Sequence, residues 1–75
     1  MKILVHKSHP LTFIIMHNKV NYMVNISTGL VNLQRINYPL FQSELEFYYR
    51  DITKYELVKH MNIIKKIKER LGELV

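Results

Sequence analysis

The chain has four histidines, and two of them are spaced so that a metal site must be considered. His6 and His9 have the short spacing of a ligand pair, and His17 would return beside His6 across a hairpin. On a strand, residues i and i+3 point to opposite faces, so His6 and His9 converge only if the chain bends at Pro10. The chain has no cysteine, and no acid lies near these histidines in sequence. We therefore expect strand-end and surface imidazoles, and no metal site.

Glu44 and Glu46 are the carboxylates whose spacing suits general acid–base catalysis. On a strand they would share one face, as an acid/base pair requires. Their neighbours include Arg50 and several aromatic residues, which is equally the composition of an ordinary amphipathic surface. The serines lack an activating motif, and two glycines are too few for a phosphate-binding loop. The sequence predicts no catalytic residue, no cofactor and no enzymatic activity.

Basic and amide side chains form the pattern with the clearest functional implication. The net charge is +5, and residues 1–43 contain basic side chains but no acid. An acidic balance follows at 44–57, and residues 58–70 are basic again, which favours a polyanionic partner. Lysines would neutralise phosphates, asparagines would bond sugar or base edges, and Tyr22 and Tyr38 would stack on bases. The candidate nucleic-acid-binding residues are Lys19, Asn21, Asn25, Arg35, Lys59, Lys65, Lys66 and Arg70.

The elements that must position these residues include one helix, predicted over residues 53–71. Thr53 and Glu56 have the Thr-x-x-Glu spacing of a capping box, and Gly72 would end the helix in a left-handed conformation. The lysine-rich face is either a solvated surface or a basic rail for phosphates, and the apolar stripe could also pair two helices as a short coiled coil. Apolar residues recur at spacings of three and four: Leu57, Met61, Ile64, Ile67, Leu71 and Leu74.

Four strands are predicted, at residues 2–7, 11–17, 20–26 and 30–36. Asn18-Lys19 fits a tight hairpin turn, and a second turn is expected at residues 27–29. The second strand is apolar on both sides, so we expect it to be central with both faces covered. In the third strand the apolar residues alternate with Asn21, Met23 and Asn25, and Tyr22 on the apolar side would then face the core instead of a base.

Residues 37–50 allow two interpretations. As a helix, Pro39 would lie near the first position, and Glu46 and Arg50 would form an i,i+4 ion pair. As a strand, apolar and charged residues would alternate from Glu44 to Arg50, and the aromatic residues favour extended structure. We favour the helix because the central strand needs a second cover.

These elements predict an α+β fold in one domain over residues 1–75. It is a small antiparallel β-meander of three to four strands packed by a long C-terminal α-helix, with a short preceding helix at 40–50. Either residues 40–50 or a second copy of the chain closes the other sheet face, and we expect a homodimer. No stretch approaches the ~20 apolar residues of a membrane span, and we expect neither a signal peptide nor a location outside the cytoplasm.

The sequence favours a small non-enzymatic nucleic-acid-binding or regulatory protein that uses a basic sheet and helix surface. The alternative is a protein–protein interaction module, an inhibitor or adaptor of a host protein. A third hypothesis places the amphipathic helix on an anionic lipid surface. Richness in isoleucine, lysine, asparagine and tyrosine suggests an accessory protein of a virus or mobile element.

Overall fold

The fold is a five-stranded antiparallel sheet with a helix packed on each face. The computed structural model describes residues 1–73, so Leu74 of the predicted apolar stripe lies outside the described residues. The strands lie in the order β4-β3-β2-β1-β5, which confirms the α+β class and the meander of the first four. The elements are β1 Lys2–His6, β2 Thr12–His17, β3 Val20–Ser27, β4 Leu30–Arg35, α1 Gln42–Tyr48, β5 Tyr49–Asp51, α2 Lys54–Lys59 and α3 Met61–Glu73.

Two tight turns connect β2 to β3 and β3 to β4, as predicted. Asn18 and Lys19 have φ values of 51° and 64°, and Thr28 and Gly29 have φ values of 49° and 79°. Two successive left-handed residues are the signature of the type I′ turn, whose twist matches that of the flanking strands. Within the first turn, Lys19 suits this geometry less well than Asn18, because a Cβ disfavours positive φ and asparagine tolerates it better than lysine does.

Replacing Lys19 by glycine is therefore expected to stabilise the fold by about 0.5–1 kcal/mol, because Asn-Gly is the preferred sequence of this turn. Gly29→Ala is the matched control with the opposite sign. Its Cβ would meet no atom within 4 Å, so only the positive φ is penalised. Urea unfolding followed by circular dichroism measures both changes. A Lys19→Gly protein less stable than the wild type would contradict the turn geometry.

Both faces of the sheet are buried, and β2 lies at their centre. On one face, Ile15 and Val24 pack against Ile64, Ile67 and Leu71 of α3. On the other face, Leu4 and Ile14 pack against Leu45 of α1, with Leu40 and Tyr49 beside them. The predicted central position of the second strand is confirmed. Residues 40–49 of the same chain supply the second cover, so this face needs no second copy.

The predicted single helix over residues 53–71 is wrong in one respect, because two helices occupy this stretch. α2 ends at Lys59, and the backbone of the C-cap residue His60 leaves the helical region with φ −104° and ψ 19°. The His60 ring lies edge-on to Phe13 with 5.8 Å between ring centroids, so the break occurs where the chain contacts the sheet. α2 contains no buried residue, and among the described members of the predicted stripe only Ile64, Ile67 and Leu71 are buried.

The predicted helix end at Gly72 is also wrong. α3 continues through Gly72 to Glu73, and Gly72 does not have the positive φ of a left-handed cap. A glycine inside a helix costs about 1 kcal/mol relative to alanine, which an exposed last turn tolerates.

Residues 37–50 combine the two interpretations. The helix is confirmed as α1, but it begins three residues after Pro39 with Phe41 at its N-cap, so the proline is not at the first helical position. The chain becomes extended at Tyr49 and forms β5, which pairs Arg50 with Val5 of β1. The predicted Glu46–Arg50 pair is wrong because β5 takes Arg50 out of the helix.

Candidate functional site

The exposed side of α3 and the end of α2 carry a concentration of positive charge. Lys65, Lys66 and Lys68 are exposed on α3, and Lys59 is exposed at the last position of α2. Burial of Ile64, Ile67 and Leu71 against the sheet forces the intervening lysines outward. We call Lys59, Lys65, Lys66 and Lys68 the basic helix surface.

These ammonium groups are not held by acids within the part of the chain that the structure describes. Glu69 lies four residues from Lys65 and three from Lys66, yet it makes no ion pair with either within 4 Å. Over the described residues the only ion pair joins Arg50 to Glu56. Within the described residues, the lysines of the basic helix surface are thus exposed and have no carboxylate partner.

Arg70 has a structural partner. Its guanidinium donates a hydrogen bond of 3.1 Å to the carbonyl oxygen of Val31. The backbone amide of Ile26 donates to the carbonyl of Leu11, so the backbone polar groups of Ile26 point toward β2. Ile26 and Val31 are therefore a non-hydrogen-bonded pair, and the backbone carbonyl of Val31 points away from β3. Arg70 thus satisfies an outward carbonyl on the edge strand β4, where unpaired backbone groups invite pairing with other chains.

Asn21 and Asn25 lie on the sheet face opposite α3, together with Met23. Asn25 is exposed and its side-chain oxygen accepts a 3.0 Å hydrogen bond from the Thr12 hydroxyl. The register with β4 extends this amide row, because Asn25 pairs with Asn32 and Met23 pairs with Gln34. Asn32 and Gln34 were not predicted from the sequence, although they alternate with Val31 and Leu33 at a period of two residues.

The predicted single binding surface is not formed, because its amides and its helical cations lie on opposite sides of the sheet. Tyr22 is partly buried against the α3 side of the core beside Val24, which confirms the interpretation that it faces the core instead of a base. Tyr38 is exposed. Lys19 lies in the β2–β3 turn and Arg35 ends β4, both exposed. Contact between the candidate residues and nucleic acid stays a prediction.

The histidines converge only as a pair. The rings of His6 and His9 lie 4.6 Å apart, and the His6 Nδ1 accepts a hydrogen bond of 3.0 Å from the amide of Ser8. His17 is at the other end of the β1–β2 hairpin, because the register pairs Val5 with Phe13, so its predicted return to His6 is wrong. Among the described residues, no three His, Asp or Glu side chains cluster as metal ligands would.

The carboxylates Glu44 and Glu46 do not form an acid/base pair. Both are in α1, where residues two apart point to different sides of the helix. The side chain of Glu46 accepts a hydrogen bond from Gln42, and its backbone carbonyl accepts one from the Lys7 ammonium.

Arg50, Thr53 and Glu56 form a charged cap that joins β5 to α2. The two terminal guanidinium nitrogens of Arg50 donate to the Glu56 carboxylate, at 2.6 and 2.9 Å. The predicted capping box is confirmed, since Glu56 accepts from the Thr53 amide and Thr53 accepts from the Glu56 amide, each at 3.2 Å. The Arg50 hydrogen bonds, followed by those of Thr53, lower the pKa of Glu56 to about 2.

An apolar groove lies where the start of β1 meets α2 and α3. Its volume is about 520 Å³, and Lys65 and Lys68 stand at its rim. The apolar lining consists of Met1, Ile3, Leu57, Val58, Met61 and Ile64. We call it the lysine-rimmed groove.

Comparisons with protein-family models, curated proteins and solved structures found no match to this chain. None of the helices within residues 1–73 has the length and apolar character needed to cross a bilayer. Function is therefore inferred from the chain's own surfaces.

Proposed function

We propose that this is a small non-enzymatic protein that binds nucleic acid through the phosphate backbone. The observation that carries the proposal is the basic helix surface, whose exposed lysines make no ion pair within the described residues. Lysines that replace condensed counterions along a nucleic acid gain free energy from counterion release. A net charge of +5 adds long-range attraction for the same partner.

The arrangement favours binding without base recognition. The side-chain amides of Asn21 and Asn25 lie on the opposite side of the sheet from α3. They therefore do not reach the bases of a nucleic acid whose phosphates contact the basic helix surface. Phosphate contacts position a protein but carry no sequence information directly. We expect affinity that depends steeply on salt and weakly on sequence.

The test is titration of labelled single- and double-stranded oligonucleotides by fluorescence anisotropy, at about 50 and about 200 mM salt. Neutralising both lysines in Lys65→Gln/Lys66→Gln should lower affinity about tenfold or more at the lower salt. Each lost phosphate contact removes about 0.9 from the slope of log affinity against log salt on duplex DNA, so the slope should fall by about 2.

The matched control is Lys2→Gln/Lys54→Gln, which removes the same charge from two exposed positions outside the basic helix surface. It should change the slope much less. Equal losses in both double variants would mean that net charge alone governs binding. No binding by the wild type at low salt would refute the proposal.

A protein–protein interaction module is the second candidate, and the exposed apolar surfaces favour it. The lysine-rimmed groove is one such surface, and the aromatic residues on the outer side of α1 are another. Exposed apolar patches of this kind mark interaction sites on small proteins. A homodimer is one form that this protein–protein interaction would take.

A cytoplasmic location and a role as an accessory protein of a virus or mobile element are compatible with both candidate functions, and they rest on composition alone.

A further inference from the structure

The outer side of α1 presents aromatic residues to solvent. Phe41 and Tyr48 are 60% and 50% exposed, and Glu44 is exposed as well, whereas Leu45 is buried against Leu4 and Ile14. Phe47, beside them, is 71% exposed, and its ring lies edge-on to Tyr48 with 4.8 Å between ring centroids. We call Phe41, Glu44, Phe47 and Tyr48 the aromatic patch. It is largely aromatic, and Glu44 gives it a negative charge.

The lysine-rimmed groove has the complementary properties. It is concave and apolar, and its lining includes two lysines and no acid. Val58 and Met61 in this lining are 69% and 61% exposed, so their apolar surface is unpartnered. A volume of about 520 Å³ is within the range of pockets that hold drug-sized ligands, which leaves room for aromatic side chains.

One chain cannot bring these two surfaces together. Ile3 and Ile64 of the groove belong to the sheet face covered by α3, whereas α1 covers the opposite face. Contact between them therefore requires two molecules. Such a contact buries apolar area on both sides and places a carboxylate near ammonium groups.

We infer that the aromatic patch of one copy docks into the lysine-rimmed groove of a second copy, with Glu44 facing Lys65 and Lys68. The inference deepens the protein-interaction candidate by naming the partner as the chain itself. Each such contact joins two different surfaces of the chain. A reciprocal pair of contacts closes a dimer, and non-reciprocal contacts extend into larger assemblies.

The test is a complementation experiment by size-exclusion chromatography with light scattering, at concentrations up to about 100 µM. Phe47→Ser removes the patch, and Val58→Ser/Met61→Ser removes the groove without altering charge. All three positions are exposed, so both variants should fold. The wild type should exceed the monomer mass of 9.0 kDa, and each variant alone should approach it.

An equimolar mixture of the two variants should restore association, because one variant keeps an intact patch and the other an intact groove. The product should be a 1:1 complex of about 18 kDa that contains one of each variant. Leu30→Ser is the control, since Leu30 is 73% exposed on β4 and belongs to neither surface. It should associate like the wild type.

Two outcomes would overturn the inference: a wild type that is monomeric throughout, or a mixture that stays monomeric while the wild type associates. If the monomeric wild type instead co-sediments with anionic vesicles through Val58 and Met61, the groove faces lipid and the inference is wrong. Phe47→Ser keeps every lysine, so its oligonucleotide affinity tests the nucleic-acid proposal separately. Loss of self-association with retained nucleic-acid binding would support both proposals.

Discussion

Replacing Ile67 by alanine is expected to lower the free energy of unfolding by about 2–5 kcal/mol, the usual cost of truncating a buried isoleucine. Ile67 is 1% exposed and joins the core between α3 and the sheet. A domain of 75 residues has a total stability of roughly 4–11 kcal/mol, so the loss is a large fraction of it. The melting temperature should fall by about 10–30 °C. Urea and thermal unfolding measure both quantities.

Met61→Ala is the matched control for Ile67→Ala. Met61 lies on the same helix, and its side chain is exposed. We therefore expect the free energy of unfolding to change by no more than about 0.5 kcal/mol. If the two substitutions cost the same, α3 does not use Ile67 to cover the sheet. That result would also remove the reason why Lys65 and Lys66 face solvent.

The second large effect is expected at the charged cap of Arg50, Thr53 and Glu56. Glu56→Ala removes the capping carboxylate and leaves Arg50 without its bidentate partner, which should cost about 1–2 kcal/mol at neutral pH. The figure stays small because the Arg50 side chain is 43% exposed and solvent screens the pair. Urea unfolding at pH 7 measures the loss.

The same cap predicts a pH dependence. The folded-state pKa of Glu56 is about 2, below its unfolded value of 4.5, so the ionised form is stabilised in the native protein. This contribution is fully present above the unfolded pKa and is lost as pH falls from about 5 to about 2. The Glu56→Ala protein should therefore lose less stability than the wild type over this interval.

Glu69→Gln provides the control for the pH experiment. Glu69 makes no ion pair within the described residues, so its removal should leave the acid profile of the wild type nearly unchanged. If Glu56→Ala and the wild type lose stability in parallel between pH 5 and pH 2, the Arg50–Glu56 interaction does not form in solution.

Local patterns alone were enough for the first-order fold. The Thr53–Glu56 spacing predicted the capping box, because both partners lie within one turn. Alternation in β3 predicted which face Val24 and Met23 occupy, since side chains alternate across any strand. The turn at Asn18-Lys19 followed from its position between two apolar runs.

The composition of the candidate site was predictable, but its spatial arrangement was not. The lysines of α3 were expected to face solvent because they alternate with a buried stripe, and the structure shows them exposed. Their relation to Asn21 and Asn25 depends on which face of the sheet α3 covers. The alternation of residues along a strand shows that the sheet has an apolar side and a polar side, but it does not determine which helix packs on which side.

The sequence by itself determined the individual elements, their inward and outward sides and the excess of positive charge. Only the tertiary structure decided that β5 pairs with β1, that the helix breaks at His60 and that Arg50 binds Glu56. Each of these depends on contacts between residues distant in sequence or on the direction in which one element leaves another. Sequence patterns reflect interactions between residues within one turn or one strand. The strand pairing, the helix break and the ion pair depend instead on which distant parts of the chain bury apolar surface together.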